Sequence, residues 1–409
     1  MSSARSPYTR ADWYAGQKFE ADHDNLFSNT DEKTHVRRRA QMMIGVSLLV
    51  LQNQGSNKSQ YSGKEIDNLE AIIDKHLLEL IDLIKWNYLS VGSELKPMDL
   101  ARKSAFFTMD VITELAFGHS WGCLPRDEDV GSWFESNEKM LPRGIMFSSI
   151  PWLAKVFLIP AIGRLFLPSE TEAVGSGRLI KVLKDAVDKR FATEDYDQKS
   201  DIMGSFIRHG ITSKQEAVTE ASLAIVAGSD TTATTIRTTL LYIITNPLVY
   251  KKLQYEIDCT DIGIAPVISD AIAKRLPYLQ AVIKEGARIL PPASGLLSKK
   301  TPPQGDTING IFVPGGIDIG QCAWGLQRSK AVYGEDAMMF RPERWLEAEK
   351  YPERLEMMER SLGLVWGHGK YSCPGKAIAW LEFNKVYFQV SDLLMICKPQ
   401  NNFTNEYSC

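Results

Sequence analysis

Apolar positions recur at three- and four-residue intervals along most of this chain, and that spacing predicts a mainly helical protein. The pattern fills Ile66 to Leu89, Leu100 to Phe117, Leu179 to Phe191 and Val249 to Ile257. A longer, proline-free run extends from about Ser213 to Thr245. Thr212 and Ser213 are its N-cap candidates, with Gln215 and Glu216 three residues on as capping-box partners, and Asn246-Pro247 supplies the stop. Leu223, Ile225, Val226, Ile236, Leu240, Leu241, Ile243 and Ile244 are spread around this helix, which predicts burial on most sides. Its middle, Ala227-Gly228-Ser229-Asp230-Thr231-Thr232, is unfavourable for a helix, and hydroxyls competing for carbonyls invite a kink. Extended pieces are few. Thr307 to Gly316 reads as a hairpin with an Asn309-Gly310 turn. Gly144 to Pro168, apolar and interrupted by prolines, reads as a core or cap segment, with a membrane-surface contact as the alternative.

Composition narrows the class. The 409 residues are 44% hydrophobic and 24% charged, as in a folded globular chain. No Pro/Gly/Ser-rich linker, repeat or low-complexity stretch divides them, so one domain over residues 1–409 is expected. A net charge of −3 argues against a nucleic-acid partner, Arg37 to Arg39 being only a local basic cluster. The six cysteines (Cys123, Cys259, Cys322, Cys373, Cys397, Cys409) show no paired spacing. That disfavours a disulfide framework or a zinc site and suits a reducing compartment. No run reaches about 18 apolar residues, so no transmembrane helix is predicted.

The strongest chemical signal lies near the C-terminal end: Trp366-Gly367-His368-Gly369-Lys370-Tyr371-Ser372-Cys373-Pro374-Gly375-Lys376, followed by the helical pattern Ala377 to Phe383. A thiolate just ahead of a helix N-terminus is stabilised by unpaired N–H groups and the helix dipole. Glycines on either side let the backbone approach a flat ligand. A single thiolate acting alone on a metal points to haem iron.

This loop resembles the haem-binding loop of the cytochrome P450 family, Phe-Gly-x-Gly-x-Arg-x-Cys-x-Gly. Trp366 stands for the Phe, and Gly367, Gly369, Cys373 and Gly375 match. Tyr371 stands where the family has Arg, so a phenol hydrogen bond, or neighbouring Lys370, would replace one propionate contact. Three further motifs occur in the family's order. Ala227 to Thr232 is similar to the distal helix, which makes Asp230 the acid and Thr231 the alcohol that deliver protons for dioxygen cleavage, with Gly228 opening the groove for it. Glu285-Gly286-Ala287-Arg288 resembles Glu-x-x-Arg, and Phe340 to Trp345 resembles the family's Pro-Glu-Arg-Phe segment. By resemblance, Glu285, Arg288 and Arg344 form a buried triad that locks the side of the cofactor holding Cys373. His35 and Arg39, four apart on one helix face, match propionate contacts, and Lys299 stands where the family has a propionate-binding Arg. Ala293 to Leu297 would line the pocket, together with Phe206, Ala224 and Gly228.

The resemblance spans about residues 7 to 388, and stretches such as Asp24 to Ser28 and Gly204 to Gly210 are similar to filamentous-fungal members of secondary metabolism or detoxification. It implies a mainly α fold with a small β portion and haem b with Cys373 as axial ligand. It also implies electrons from NADPH-cytochrome P450 reductase and insertion of one oxygen atom into an apolar small molecule. The family's endoplasmic-reticulum anchor, first sheet elements and closing strands have no counterpart in the match, and residues 390–409 diverge from it. That leaves a cytoplasmic or peripheral-membrane placement for this chain, and expects unpaired strand edges and exposed apolar helix faces. Two alternatives stay open at this point: a haem-binding remnant without turnover, and a haem-thiolate isomerase or dehydratase.

Overall fold

The computed structural model describes residues 2–46, 68–150, 175–193 and 198–396, without positions 4 and 21, together with 156, 159, 161 and 162. The divergent tail beyond 396 and the end of the Gly144–Pro168 segment therefore lie outside the described residues. The long helices are α1 (Glu32–Val46), α2 (Leu69–Leu83), α3 (Leu100–Phe117), α4 (Trp133–Ser148), α5 (Gly175–Phe191), α6 (Lys214–Thr245), α7 (Pro247–Asp258), α8 (Pro277–Ile289), α9 (Pro352–Gly363) and α10 (Lys376–Ile396).

Local chemistry explains most of their boundaries. Asp99 caps α3 by accepting from the Arg102 N–H at 3.0 Å, and Gly118, in the left-handed region, ends it. α6 stops at Asn246-Pro247, and the Asn246 side chain then caps α7 at the Val249 N–H. The capping box expected at the start of α6 is absent: Ser213 is the N-cap residue but makes no side-chain cap bond, and Glu216 is taken by Arg38. Nor does α6 break. Its hydroxyls bond back within the helix, Thr231 to the Ala227 carbonyl at 2.7 Å and Thr235 to that of Thr231 at 3.2 Å.

α6 is the axis of the molecule, packed most extensively on α3 and then on α5 and α8. α10 lies against α2, α8, α7 and α6, and a single continuous core of aliphatic and aromatic side chains joins these helices. The β portion is small. β1 (Thr9–Arg10), β2 (Lys299–Lys300) and β5 (Asp318–Ile319) form an antiparallel sheet in that order, with Arg10 opposite Lys299 and Lys299 opposite Ile319. β3 (Asp306–Ile308) and β4 (Ile311–Val313) form the predicted hairpin, turning at Asn309 and Gly310, both with positive φ. Among the described residues the outer edge of β5 is unpaired, and Trp86, Leu95, Leu248 and Met338 are more than 60% exposed.

Two expectations fail. Phe206 is wholly buried in the core and lines no accessible pocket. Cys259 is in a disulfide, whereas Cys123, Cys322 and Cys373 are free thiols.

Candidate cofactor and active site

The cysteine loop is built from short turns. Leu364–Trp366 and Gly369–Tyr371 are single 3-10 turns separated by Gly367, whose φ of 70° turns the chain between them. The Cys373 N–H donates to the Trp366 carbonyl at 2.7 Å and closes the loop. α10 then begins at Lys376, so Cys373 stands just ahead of its unpaired N–H groups. Cys373 is accessible to solvent. Surrounding protein nevertheless raises its thiol pKa by desolvation, opposed by N–H donation from Gly375 and Lys376 and by the Arg39 guanidinium. A thiol that is both accessible and crowded stands at the floor of a recess. Gly375 has open space where a Cβ would project. Gly369 differs: a Cβ there would collide with the Ser2 carbonyl, so its close approach serves the chain's own first residues.

Beside this floor lies a buried cluster of bases. Arg39 donates to Ser372 Oγ at 2.8 Å and interacts electrostatically with Cys373. His35 is fully buried, and neither ring nitrogen has a hydrogen-bond partner. Desolvation, and then Arg10, drive its pKa down to about 3. Lys299 on β2 is 7% exposed, and its amine donates only to Tyr14 Oη at 2.9 Å and the Leu297 carbonyl at 3.1 Å. Burial, and then Arg10, lower it to about 8. Tyr371 spends its hydroxyl on Glu32, which also pairs with Lys370 at 2.9 Å. Burial and then Glu32 raise the Tyr371 phenol, so it stays protonated. Tyr371 and Lys370 thus share Glu32 as their partner.

Arg10, which the sequence reading missed, lies in the same cluster. Its guanidinium lies 5.2 Å from the Tyr371 ring centroid and 4.9 Å from that of Tyr14, donates to the carbonyls of Leu26, Phe27 and Asn29, and leaves Nε unpartnered. Four cations gather near His35 and Glu32: Arg10 and Lys299 are buried, Arg39 and Lys370 part-exposed, and Glu32 is the carboxylate among them. Such an excess of buried positive charge, with an orphaned imidazole beside it, fits a ligand carrying two carboxylates next to a thiolate-ligated group. The donor set present thus suits haem. The sequence signal for Arg10 was the dense aromatic and basic stretch Tyr8 to Tyr14, which carries no periodicity.

The distal residues lie along the middle of α6. Ala227 is exposed there although the helix is buried over most of its length, and Gly228, Asp230 and Thr231 are half-buried. Burial raises the Asp230 carboxyl pKa, with Arg237 opposing and Glu138 adding. Gly228 directs its missing Cβ at Ile112, 2.9 Å away, and so permits the close approach of α3.

The triad residues meet as anticipated from their order. Glu285, Arg288 and Arg344 have no exposed side-chain surface. Arg288 forms a fork on Glu285 at 2.7 and 2.8 Å, and Arg344 Nε reaches it at 3.0 Å. Trp345 Nε1 and the Arg341 N–H complete the carboxylate's partners, and Asp336 pairs with Arg344 at 2.8 Å. Arg38, in the local basic cluster, spans Glu216 at 2.9 Å and Glu220 at 3.0 Å on α6.

Comparison with known proteins gives a consistent answer. Residues 49–390 match the family described as Cytochrome P450. The chain is 40% identical over 396 residues to Cytochrome P450 monooxygenase ABA1 of Pyricularia oryzae, which covers 95% of this chain and 74% of that protein. It is 37% identical over 396 residues to Cytochrome P450 monooxygenase aba1 of Botryotinia fuckeliana, with the same coverage. It is 28% identical over 382 residues to Pisatin demethylase of Fusarium vanettenii, covering 90% of this chain and 67% of that protein.

Proposed function

This chain belongs to the cytochrome P450 family, and from that membership we propose that it is a single-domain haem-thiolate monooxygenase of fungal secondary metabolism or detoxification. Its reaction inserts one oxygen atom into an apolar small molecule. When bound, haem b would supply the reducible centre for dioxygen cleavage, with electrons from NADPH-cytochrome P450 reductase. Cys373 is the proposed axial ligand, and the observation that carries the reading is its position: an accessible thiol facing N–H groups at the start of α10. Trp366, Gly367, Gly369 and Gly375 shape the loop that presents it. His35, Arg39, Lys299 and Arg10 would take the propionates, and Tyr371 would hold Glu32 away from them. Burial keeps the Asp230 carboxyl closer to its protonated form, so that it can pass a proton toward the recess. Thr231 Oγ1, at present donating to the Ala227 carbonyl, is the group that would relay it. This retained acid–alcohol pair favours oxygen insertion over isomerisation or dehydration.

Among the described residues no helix is long and apolar enough to cross a membrane. The proposed site of action is the cytosolic face of the endoplasmic reticulum. The test is the carbon-monoxide difference spectrum of the reduced, haem-loaded protein. A thiolate-type Soret band that disappears in Cys373→Ser supports the assignment, and an unchanged band in that variant overturns it.

A further inference from the structure

Arg10 on β1 and Lys299 on β2 stand directly opposite each other across two antiparallel strands, and each is only 7% exposed. Like charges in that register repel, and burial strengthens the repulsion. The hydrogen bonds of both side chains go to neutral oxygens. The guanidinium uses the carbonyls of Leu26, Phe27 and Asn29, and the amine uses Tyr14 Oη and the Leu297 carbonyl.

What the two cations share is a pair of rings. Arg10 Cζ lies 4.9 Å from the Tyr14 centroid and 5.2 Å from that of Tyr371. Lys299 Nζ lies 4.7 Å and 4.3 Å from the same two centroids. Negative ring faces at that range attract cations, most strongly where water is excluded. Each ring is fixed by a separate handle. Tyr14 packs edge-on against Trp13 and Phe27, both at 5.1 Å. Tyr371 is held by its hydroxyl on Glu32, with the His35 ring 5.3 Å away and the Lys370 amine 5.1 Å from its centroid. The family's arginine at this position would add another guanidinium to the repulsion between Arg10 and Lys299. A phenol ring offsets that repulsion instead.

We propose that Tyr371 is a positioning residue for the cofactor's carboxylates: its ring, with that of Tyr14, clamps Arg10 and Lys299 side by side, and this paired cationic platform receives a propionate. The proposal rests on the haem-thiolate reading above. It assigns cofactor retention to the ring of Tyr371 rather than to its hydroxyl, which Glu32 already occupies. Phe keeps the ring, and Leu removes it while remaining apolar. In either variant Glu32 keeps two other partners, the Lys370 amine at 2.9 Å and the Arg10 N–H at 3.2 Å.

The experiment loads the protein with haem b or with its dimethyl ester, in which both carboxylates are blocked. Release into excess apomyoglobin is followed at the Soret band. Tyr371→Leu should release haem about tenfold faster or more, and change release of the ester by less than about twofold. Tyr371→Phe should stay within about threefold of the unaltered protein for both. Equal acceleration of haem and ester in Tyr371→Leu, or failure of that variant to take up either, would overturn the proposal by showing that the whole loop has loosened. Release from Tyr371→Phe as fast as from Tyr371→Leu would overturn it by assigning retention to the hydroxyl. Unchanged haem release in Tyr371→Leu, beside an intact thiolate-type band, would sink the clamp alone. Absence of that band in the unaltered protein would remove the underlying reading, and this proposal with it.

Discussion

Replacing Glu285 by Gln keeps the shape of the side chain and removes its charge. In the intact protein Oε1 accepts from Arg288 Nη2, Arg344 Nε and the Arg341 N–H, while Oε2 accepts from Arg288 Nε and Trp345 Nε1. A Gln oxygen placed at the first position leaves its NH₂ facing the two donors at the second. Losing two such partners, at about 1.5–3 kcal/mol for each bond to a charged group, costs about 3–6 kcal/mol. The figure for breaking a buried ion pair by removing one member, about 3–5 kcal/mol, agrees. An unfolding entropy of about 2.1 cal/mol/K per residue over 409 residues converts that range into a fall of about 3–7 °C in Tm. Urea and thermal unfolding followed by circular dichroism would measure it. Lys330→Ala serves as the control, since its pair with Glu335 is largely exposed and should be worth under about 1 kcal/mol. A Glu285→Gln loss no larger than that of the control would refute the reasoning.

Other perturbations test other parts of the site. His35 has a folded pKa of about 3 against an ordinary imidazole value of 6.5, so the unfolded chain binds the extra proton and stability rises with pH across that window. Subtracting the pH dependence of His35→Gln from that of the intact protein should isolate this rise between pH 3 and 6.5, and parallel curves would contradict it. Lys299, about 8 folded against 10.5, adds a rise between pH 8 and 10.5 that Lys299→Met should remove in the same urea titrations. Gly286→Ala would press a methyl group onto Thr239 Oγ1 and should cost about 1–3 kcal/mol by overpacking between α8 and α6, measured by denaturant midpoint. Thr231→Ala should retain the haem spectrum but divert reductase electrons to peroxide, and product formation per NADPH equal to the intact enzyme's would exclude its relay role.

How far the sequence could be read depended on the distance between partners. α3 and α6 were legible to within a residue because their signals are local: apolar period, Asp99 before the first turn, Asn246-Pro247 after the last. The Cys373 loop was legible for the same reason, its glycines and cysteine standing within ten positions. The base cluster was only half legible. His35 and Arg39 lie on one helix face, but Arg10 becomes a site residue only because β1 pairs with β2, 289 positions downstream. Tyr371 read as a hydrogen-bond donor for a propionate because nothing near it in sequence announces Glu32. Phe206 failed for the complementary reason: an apolar residue on a short helix looks alike whether it lines a pocket or fills a core.

The contact between Ser2 and the cysteine loop has a temporal side. The Lys370 N–H donates to the Ser2 carbonyl, 368 positions away in the chain, and Tyr371 and Lys370 reach back to Tyr8. At ribosomal speeds of about 5–20 residues per second, roughly 20–70 s separate the synthesis of the two partners. Throughout that interval Ser2 and Tyr8 lack their partners on the cysteine loop, whereas the Arg10 guanidinium can already be held by the carbonyls of Leu26, Phe27 and Asn29. The loop that presents Cys373 thus closes onto a segment made long before it, and haem capture at that thiol waits on the later partner.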